Sequence, residues 1–142
     1  MKTGAQINRN LLFAGESRKA KMNTRKIGTA QEQRVAAWMK QHGYYIVERN
    51  FNCHFGEIDL IARKDGYLIF VEVKYRSNLA YGEPCEAVDL RKQKRISNAA
   101  AFYLRRYGYP MDQPCRFDVA QVSADGIELL EDAFPYCGIF SM

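Results

Sequence analysis

The chain has 142 residues, of which 47% are hydrophobic and 13% aromatic, a composition typical of a single globular domain and not of a disordered chain. No stretch approaches the roughly 20 apolar residues that a membrane-spanning helix needs, and the N-terminus lacks the apolar region of a signal peptide. The four cysteines include no Cys-x-x-Cys pair, which argues against a zinc site or a disulfide framework and favours reduced thiols in a cytoplasmic protein.

The net charge of +5 is concentrated at the N-terminus. Residues 1–28 carry seven Lys and Arg side chains and one Glu, a net charge of +6. The other 14 basic and 15 acidic side chains leave residues 29–142 with a net charge of −1. The basic segment has no sustained hydrophobic periodicity, so we predict a disordered tail over 1–28 and a single domain over 29–142. The global charge therefore gives no evidence of nucleic-acid binding by the folded domain.

The folded domain is predicted to begin with a helix. Thr29-Ala30-Gln31-Glu32 is a capping-box sequence in which Thr29 is the N-cap. Apolar residues at helical spacing follow, and Gly43 suits the C-terminal end of this helix. The next residues, 44–49, are rich in aromatic and β-branched side chains, which favours a strand.

A hairpin is predicted next, because Asp65-Gly66 favours a tight type I′ turn. Its strands span about 56–63 and 67–76, and a loop follows over 77–84. The remaining elements are a long helix and two strands, predicted over 86–107, 116–123 and 127–130. A helix joins the third strand to the fourth, so these two strands should be parallel neighbours. The fold class is therefore α/β, with a mixed sheet flanked by helices.

The hairpin brings charged side chains together on one face. Counting back from a two-residue turn places Asp59 opposite Glu72. The same count places Glu57 opposite Lys74, and Arg76 continues this face. Two carboxylates about 5 Å apart repel by roughly 3 kcal/mol at an effective dielectric near 20, which exceeds the ~1 kcal/mol range of strand propensity. The pattern therefore predicts a positive group between the acids, most simply a divalent metal ion such as Mg²⁺ or Mn²⁺.

An acid followed a dozen residues later by Glu-x-Lys on the adjacent strand resembles the PD-(D/E)xK nuclease motif. More closely, the chain resembles the YraN family of predicted endonucleases over about residues 28–122, with GEIDLI at 56–61, FVEVK at 70–74 and RFDV at 116–119. The resemblance implies an αβββαβ restriction-endonuclease-like core, similar in fold to Holliday-junction resolvases, and the fifth predicted strand is an addition at its C-terminal end. Gln31 departs from the glycine that this family usually has before the helix glutamate.

The hairpin pattern and the resemblance together give roles to the acids. Asp59 and Glu72 are expected to hold the metal, and Lys74 to assist the attacking water and stabilise charge on the phosphate. Glu57 has three open roles: a metal ligand, an acid that supports a ligand, or the ion-pair partner of Lys74. Glu32 is either an active-site acid, as the resemblance implies, or simply the capping-box residue.

Basic side chains near the hairpin and on the second helix are candidates for DNA contacts. Arg76 is expected either to hold a phosphate oxygen or to be an ordinary strand-edge charge. The candidates on the helix are Arg91, Lys92, Gln93, Lys94 and Arg95. Lys92 and Gln93 resemble residues of nuclease relatives at this position, whereas a charge run on a helix is otherwise a solvated face.

These expectations combine into a cytoplasmic endonuclease, dependent on Mg²⁺ or Mn²⁺, that hydrolyses DNA. Branched or distorted DNA in repair or recombination is the expected substrate. The alternatives are a catalytically weak nucleic-acid-binding module and a protein-interaction adaptor on a nuclease fold. The expected partners are DNA and repair or recombination proteins; a homodimer stays open, and no membrane is expected.

Overall fold

The computed structural model describes residues 16–76 and 88–139, which form a five-stranded sheet with one helix on each face. The elements are α1 (Glu16–Gln41), β1 (Tyr45–Cys53), β2 (Gly56–Lys64), β3 (Tyr67–Tyr75), α2 (Leu90–Arg106), β4 (Cys115–Ser123) and β5 (Gly126–Phe134). The strands lie side by side in chain order, with β3 and β4 parallel and the other neighbours antiparallel. The predicted mixed sheet with flanking helices is confirmed.

The hairpin between β2 and β3 has the predicted turn and register. Both residues of Asp65-Gly66 have positive φ angles, 53° and 84°, as a type I′ turn requires. Backbone pairing runs from Lys64 and Tyr67 to Leu60 and Val71. Backbone pairing between β2 and β3 ends there, although β2 extends back to Gly56 and β3 continues to Tyr75.

Two hydrophobic clusters cover the two faces of the sheet and fix the position of each helix. In β3, Phe70 packs towards Ile96 and Tyr103 of α2, whereas Val71 packs towards Met39 of α1. The alternation follows from the pleat of the strand. Because β3 is covered on both faces, its apolar run is continuous and not alternating.

An irregularity in β2 separates two residues that share a face in a regular strand. Ile58 packs in the cluster on the α2 side, whereas Leu60 packs in the cluster on the α1 side. The neighbouring strand β1 is also distorted, since Asn50 has a φ of 55°, a conformation that asparagine tolerates better than most residues. The sheet is therefore irregular where the acids of β2 lie.

The first helix begins earlier than predicted. It starts at Glu16, so Thr29 lies inside the helix and is not its N-cap. Residues 16–28, predicted to be disordered, are helical; they contain no proline and are rich in residues of favourable helix propensity such as Lys, Arg, Ala and Met. The prediction for residues 1–15 lies outside the described residues.

The second helix begins later than the predicted Glu86. Asp89 is its N-cap, and the Asp89 side chain accepts a hydrogen bond from the backbone N–H of Lys92 at 2.9 Å. A side chain that satisfies one of the first amide groups fixes the helix start. The predicted loop over 77–84 lies outside the described residues.

The strands at the two edges of the sheet are longer than predicted. Strand β1 continues to Cys53, and β5 runs from Gly126 to Phe134. The pairing of β5 with β4 shifts register beside Asp118, a fully buried acid that accepts hydrogen bonds from Arg116 Nε at 3.0 Å and from the Asp132 N–H at 2.9 Å. These bonds satisfy Asp118 inside the fold, so it is a structural acid.

Within the described residues, neither helix combines the length and apolar character needed to cross a membrane. Cys53, Cys115 and Cys137 are free thiols. Burial raises the pKa of the Cys115 thiol to about 11, so this cysteine stays protonated and unreactive at neutral pH.

Candidate functional site

A cavity of about 120 Å³ lies between the start of β2, the C-terminal half of β3 and the first turns of α2. The strands contribute three acids to its lining, and the helix contributes two cations and one apolar side chain. These residues are Glu57, Asp59, Glu72, Lys92, Arg95 and Ile96. The structure therefore brings together the three acids that the hairpin pattern singled out.

Asp59 lies just beyond the last backbone pair between β2 and β3, so its expected direct pairing with Glu72 is not part of the ladder. Its carboxylate instead accepts a hydrogen bond from the backbone N–H of Val73 at 2.8 Å. Burial and the charge of Glu72 raise the pKa of Asp59 to about 9, and the Val73 hydrogen bond opposes this only in part. Without a bound cation, the Asp59 carboxyl therefore carries a proton at neutral pH.

Glu32 of α1 approaches Asp59 from the other face of the sheet. Its capping role is excluded, because Thr29 is not a helix cap. Burial raises the pKa of Glu32, although hydrogen bonds with Asn50 and Asp59 act in the opposite direction. Its Oε1 atom is buried and has no hydrogen-bond partner in the described part of the chain. Leaving such an oxygen unpaired is costly, so it points to a partner not yet accounted for.

The positive charge beside Glu72 comes from Lys92. The Lys92 Nζ lies 3.0 Å from Oε2 of Glu72, whose side chain is only 5% exposed, whereas that of Lys92 is 49% exposed. Partial burial lowers the pKa of Lys92, but the charge of Glu72 and the hydrogen bond to it outweigh this effect, so the pKa is raised. The positive group beside these acids is therefore Lys92, a residue expected from the sequence to contact DNA.

Lys74 and Arg76 are not among the described residues that line the cavity. Strand alternation puts Lys74 on the same face as Glu72, and the parallel register pairs it with Gln121 of β4. The Nε2 atom of Gln121 is buried and lacks a hydrogen-bond partner among the described residues. No sequence motif marks Gln121, because only the pairing of β3 with β4 brings it beside Lys74.

The residues of α2 that were predicted to contact DNA divide into three groups. Lys92 and Arg95 line the cavity. Arg91 and Lys94 are exposed on the same helix. Gln93 donates from Nε2 to the carbonyl oxygen of Val88 at 3.0 Å, so it supports the start of the helix in this structure.

The donor groups at the cavity suit a hard divalent cation. Carboxylate oxygens are the ligands that Mg²⁺ and Mn²⁺ prefer, and a cation in the cavity would allow Asp59 and Glu72 to be ionised together. Within residues 16–76 and 88–139, however, no three His, Cys, Asp or Glu side chains form a group arranged to hold a metal ion. Glu72 is already paired with Lys92, so a cation would have to compete with this ion pair.

We expect Asp59→Asn to stabilise the protein in the presence of a chelator at pH 8, by about 1–3 kcal/mol in the free energy of unfolding. The folded state raises the pKa of Asp59 from 3.8 to about 9, so folding favours its protonated form. The contribution of Asp59 to stability is therefore lost as the pH rises from about 4 to 9. Asparagine keeps an acceptor for the Val73 N–H but cannot ionise.

Urea unfolding of both proteins between pH 4 and 9 measures this effect. The difference in stability should be small near pH 4 and grow towards pH 9. Asp125→Asn is the matched control, because Asp125 is exposed in the β4–β5 turn. A stability gain for Asp59→Asn that does not vary with pH would contradict the raised pKa.

The fold and the cavity define this chain as an α/β protein with a cluster of partly buried acids beneath the basic N-terminal turns of a helix. The model of the family described as "Uncharacterised protein family UPF0102" matches residues 31–122. The chain belongs to this family.

This chain matches several relatives of the same family over nearly the whole length of each relative. A UPF0102 protein of Lachnoclostridium phytofermentans is 44% identical over 117 residues, which is 82% of this chain and 99% of the relative. A second, from Symbiobacterium thermophilum, is 45% identical over 116 residues, 78% of this chain and 98% of the relative. A third, from Caldicellulosiruptor bescii, is 37% identical over 119 residues, 80% of this chain and all of the relative.

Proposed function

We propose that this protein is a divalent-metal-dependent endonuclease that hydrolyses phosphodiester bonds in DNA, with branched or distorted DNA as its substrate. The observation that carries the proposal is the cavity in which Asp59 and Glu72 meet below Lys92 and Arg95. Two acids this close cannot both ionise at neutral pH without a cation, and basic side chains at the rim suit the phosphates of a nucleic acid.

The order of elements supports the same conclusion. From α1 to β4 the chain runs αβββαβ, the order of the restriction-endonuclease-like core, and β5 is an additional C-terminal strand. Asp59 lies on β2 just beyond the last backbone pair with β3, and Glu72 and Lys74 follow on β3. These residue types and their spacing match the PD-(D/E)xK pattern. A fold alone does not establish an activity, so the weight of the proposal rests on the cavity.

Each side chain has a role in this proposal. Asp59 and Glu72 would hold the cation, and the unpaired oxygen of Glu32 is available to a ligand of that cation or to a water. A bound Mg²⁺ or Mn²⁺ would polarise the phosphodiester and lower the pKa of a water. Lys74, on the face of Glu72, would orient this water, and Arg95 would hold a phosphate oxygen at the rim.

A nucleic-acid-binding module without catalysis is the second candidate. The ion pair between Lys92 and Glu72 favours it, because this pair neutralises the most buried acid of the cavity without a metal. In that case Arg91, Lys94 and Arg95 would contact phosphates, and the acids would be structural.

A cleavage assay with the full chain distinguishes the two functions. Single-stranded, duplex, flap and four-way DNA are incubated with Mg²⁺, Mn²⁺ or a chelator. The proposed endonuclease cleaves in the presence of metal, fastest on flap or four-way DNA, and loses cleavage with the chelator and in Asp59→Asn. DNA binding without any cleavage would favour the binding module, and equal cleavage by Asp59→Asn would exclude this cavity as the active site.

A further inference from the structure

The ion pair between Lys92 and Glu72 lies within the cavity where the proposed function places a divalent cation. Glu72 is 5% exposed, and its Oε2 is 3.0 Å from the Lys92 ammonium. The pair joins two elements that are distant in the chain, the central strand β3 and the first turn of α2. The contact is therefore a property of the tertiary structure and not of the hairpin.

The backbone of Lys92 is held in place at the start of α2. The Asp89 carboxylate accepts the hydrogen bond of the Lys92 backbone N–H at 2.9 Å, which fixes the first turn of the helix. The side chain beyond it is half exposed. The backbone of Lys92 is therefore fixed while its ammonium group can move, because lysine carries this group on a flexible four-carbon chain.

The cavity offers room for a cation in addition to the ammonium group. Its volume of about 120 Å³ is several times the roughly 10–15 Å³ that a cavity needs to hold one water molecule. The negative charge that would attract the cation is the same charge that Lys92 now neutralises. An ammonium and a divalent cation next to the same carboxylate repel each other, so the two states compete.

We propose that Lys92 is the resident counter-ion of the metal-free site, and that a divalent cation binds by displacing its ammonium group from Glu72. This inference rests on the proposed metal site. Lys92 then sets the metal affinity of the protein and keeps the acids compatible with the fold when no metal is bound. It is a positioning residue in this role, since it acts through Glu72.

The test compares Mn²⁺ binding by the parent chain, Lys92→Met, Lys92→Arg and Lys40→Met, measured by calorimetry at one neutral pH. Lys92→Met keeps an unbranched side chain of nearly the same length and removes the competing charge. It should bind Mn²⁺ about fivefold more tightly, the equivalent of about 1 kcal/mol for a half-exposed ion pair. Lys92→Arg keeps the charge and should stay within about twofold of the parent. Lys40→Met removes an exposed charge from α1, away from the cavity, and should also change little.

Thermal unfolding provides a second measurement that does not depend on catalysis. In the presence of a chelator, Lys92→Met should unfold at a lower temperature than the parent, because Glu72 loses its counter-ion. In saturating Mn²⁺ the difference should vanish or reverse, since a more tightly bound ligand stabilises the folded state more.

The outcomes separate this inference from the proposed function. If the parent binds Mn²⁺ and Lys92→Met binds it equally well or more weakly, Lys92 is not a competitor, and the metal site stands. If neither protein binds Mn²⁺, both the metal site and the counter-ion role are wrong. Binding by Lys92→Met alone would support the inference in its strongest form.

Discussion

We expect Glu72→Gln to lower both the Mn²⁺ affinity and the rate of metal-dependent DNA cleavage by at least about a hundredfold. Replacing even a supporting residue of a metal site typically costs 10- to 100-fold, and Glu72 is proposed as a direct ligand. The amide oxygen of glutamine is a weaker donor to a hard cation than a carboxylate oxygen is. Calorimetry of Mn²⁺ binding and single-turnover cleavage of four-way DNA measure the two effects.

The fold should survive this substitution. Glu72→Gln removes the charge that helps to raise the pKa of Asp59, but it also removes the ion pair with Lys92, and the two effects oppose each other. The free energy of unfolding in a chelator should therefore stay within about 1 kcal/mol of the parent. Glu128→Gln is the matched control, because Glu128 is exposed on β5. Undiminished Mn²⁺ binding by a folded Glu72→Gln protein would show that the cavity is not the metal site.

The second large effect concerns the basic N-terminal segment. We expect a chain that starts at Ile27 to bind duplex DNA more weakly at low salt, with a log–log salt dependence shallower by about 2–4 units. Residues 1–28 carry seven of the basic side chains, and each one that neutralises a phosphate contributes roughly 0.9 to the slope. Engagement of all seven would give a slope of about −6, but the entropy cost of ordering the segment reduces the number that engage.

The truncation also removes residues 16–26 of α1, so charge and helix must be tested separately. A full-length variant in which Arg18, Lys19, Lys21, Arg25 and Lys26 are replaced by Gln removes the charges but keeps the helix propensity, because glutamine favours a helix about as well as lysine and arginine do. It should lose most of the same salt dependence. The truncated chain should unfold at an unchanged temperature, because Val35, Ala36 and Met39 still pack against the sheet. Identical salt slopes for all three proteins would mean that the segment does not contact DNA.

Much of the fold could be predicted from short stretches of sequence. Asp65-Gly66 fixed the turn type and the register of the hairpin, because a type I′ turn needs two residues that tolerate positive φ. The helix between the third and fourth strands required a parallel pairing of β3 with β4, which the structure has. The helix starts were less predictable. The capping-box sequence at Thr29 does not mark the start of the helix, because the residues before it also favour a helix, and α1 begins at Glu16.

The candidate site could be predicted only in part. Glu57, Asp59 and Glu72 lie within one hairpin, and its register sufficed to bring them near one another. The end of the ladder at Leu60, which leaves Asp59 bonded to the Val73 N–H, has no signal in the alternating pattern. It coincides with the distorted part of the neighbouring strand β1, where Asn50 has a φ of 55°.

The sequence by itself therefore determined the order of the elements, the hairpin register and the three acids that the hairpin brings together, since these follow from turn chemistry and side-chain alternation over a few residues. Tertiary structure alone decided that Lys92 pairs with Glu72 and that Glu32 reaches Asp59 from the opposite face. Those contacts depend on where each helix packs. Apolar clusters assembled from distant parts of the chain set the position of each helix, and this position in turn places the charged residues of the helix beside the sheet.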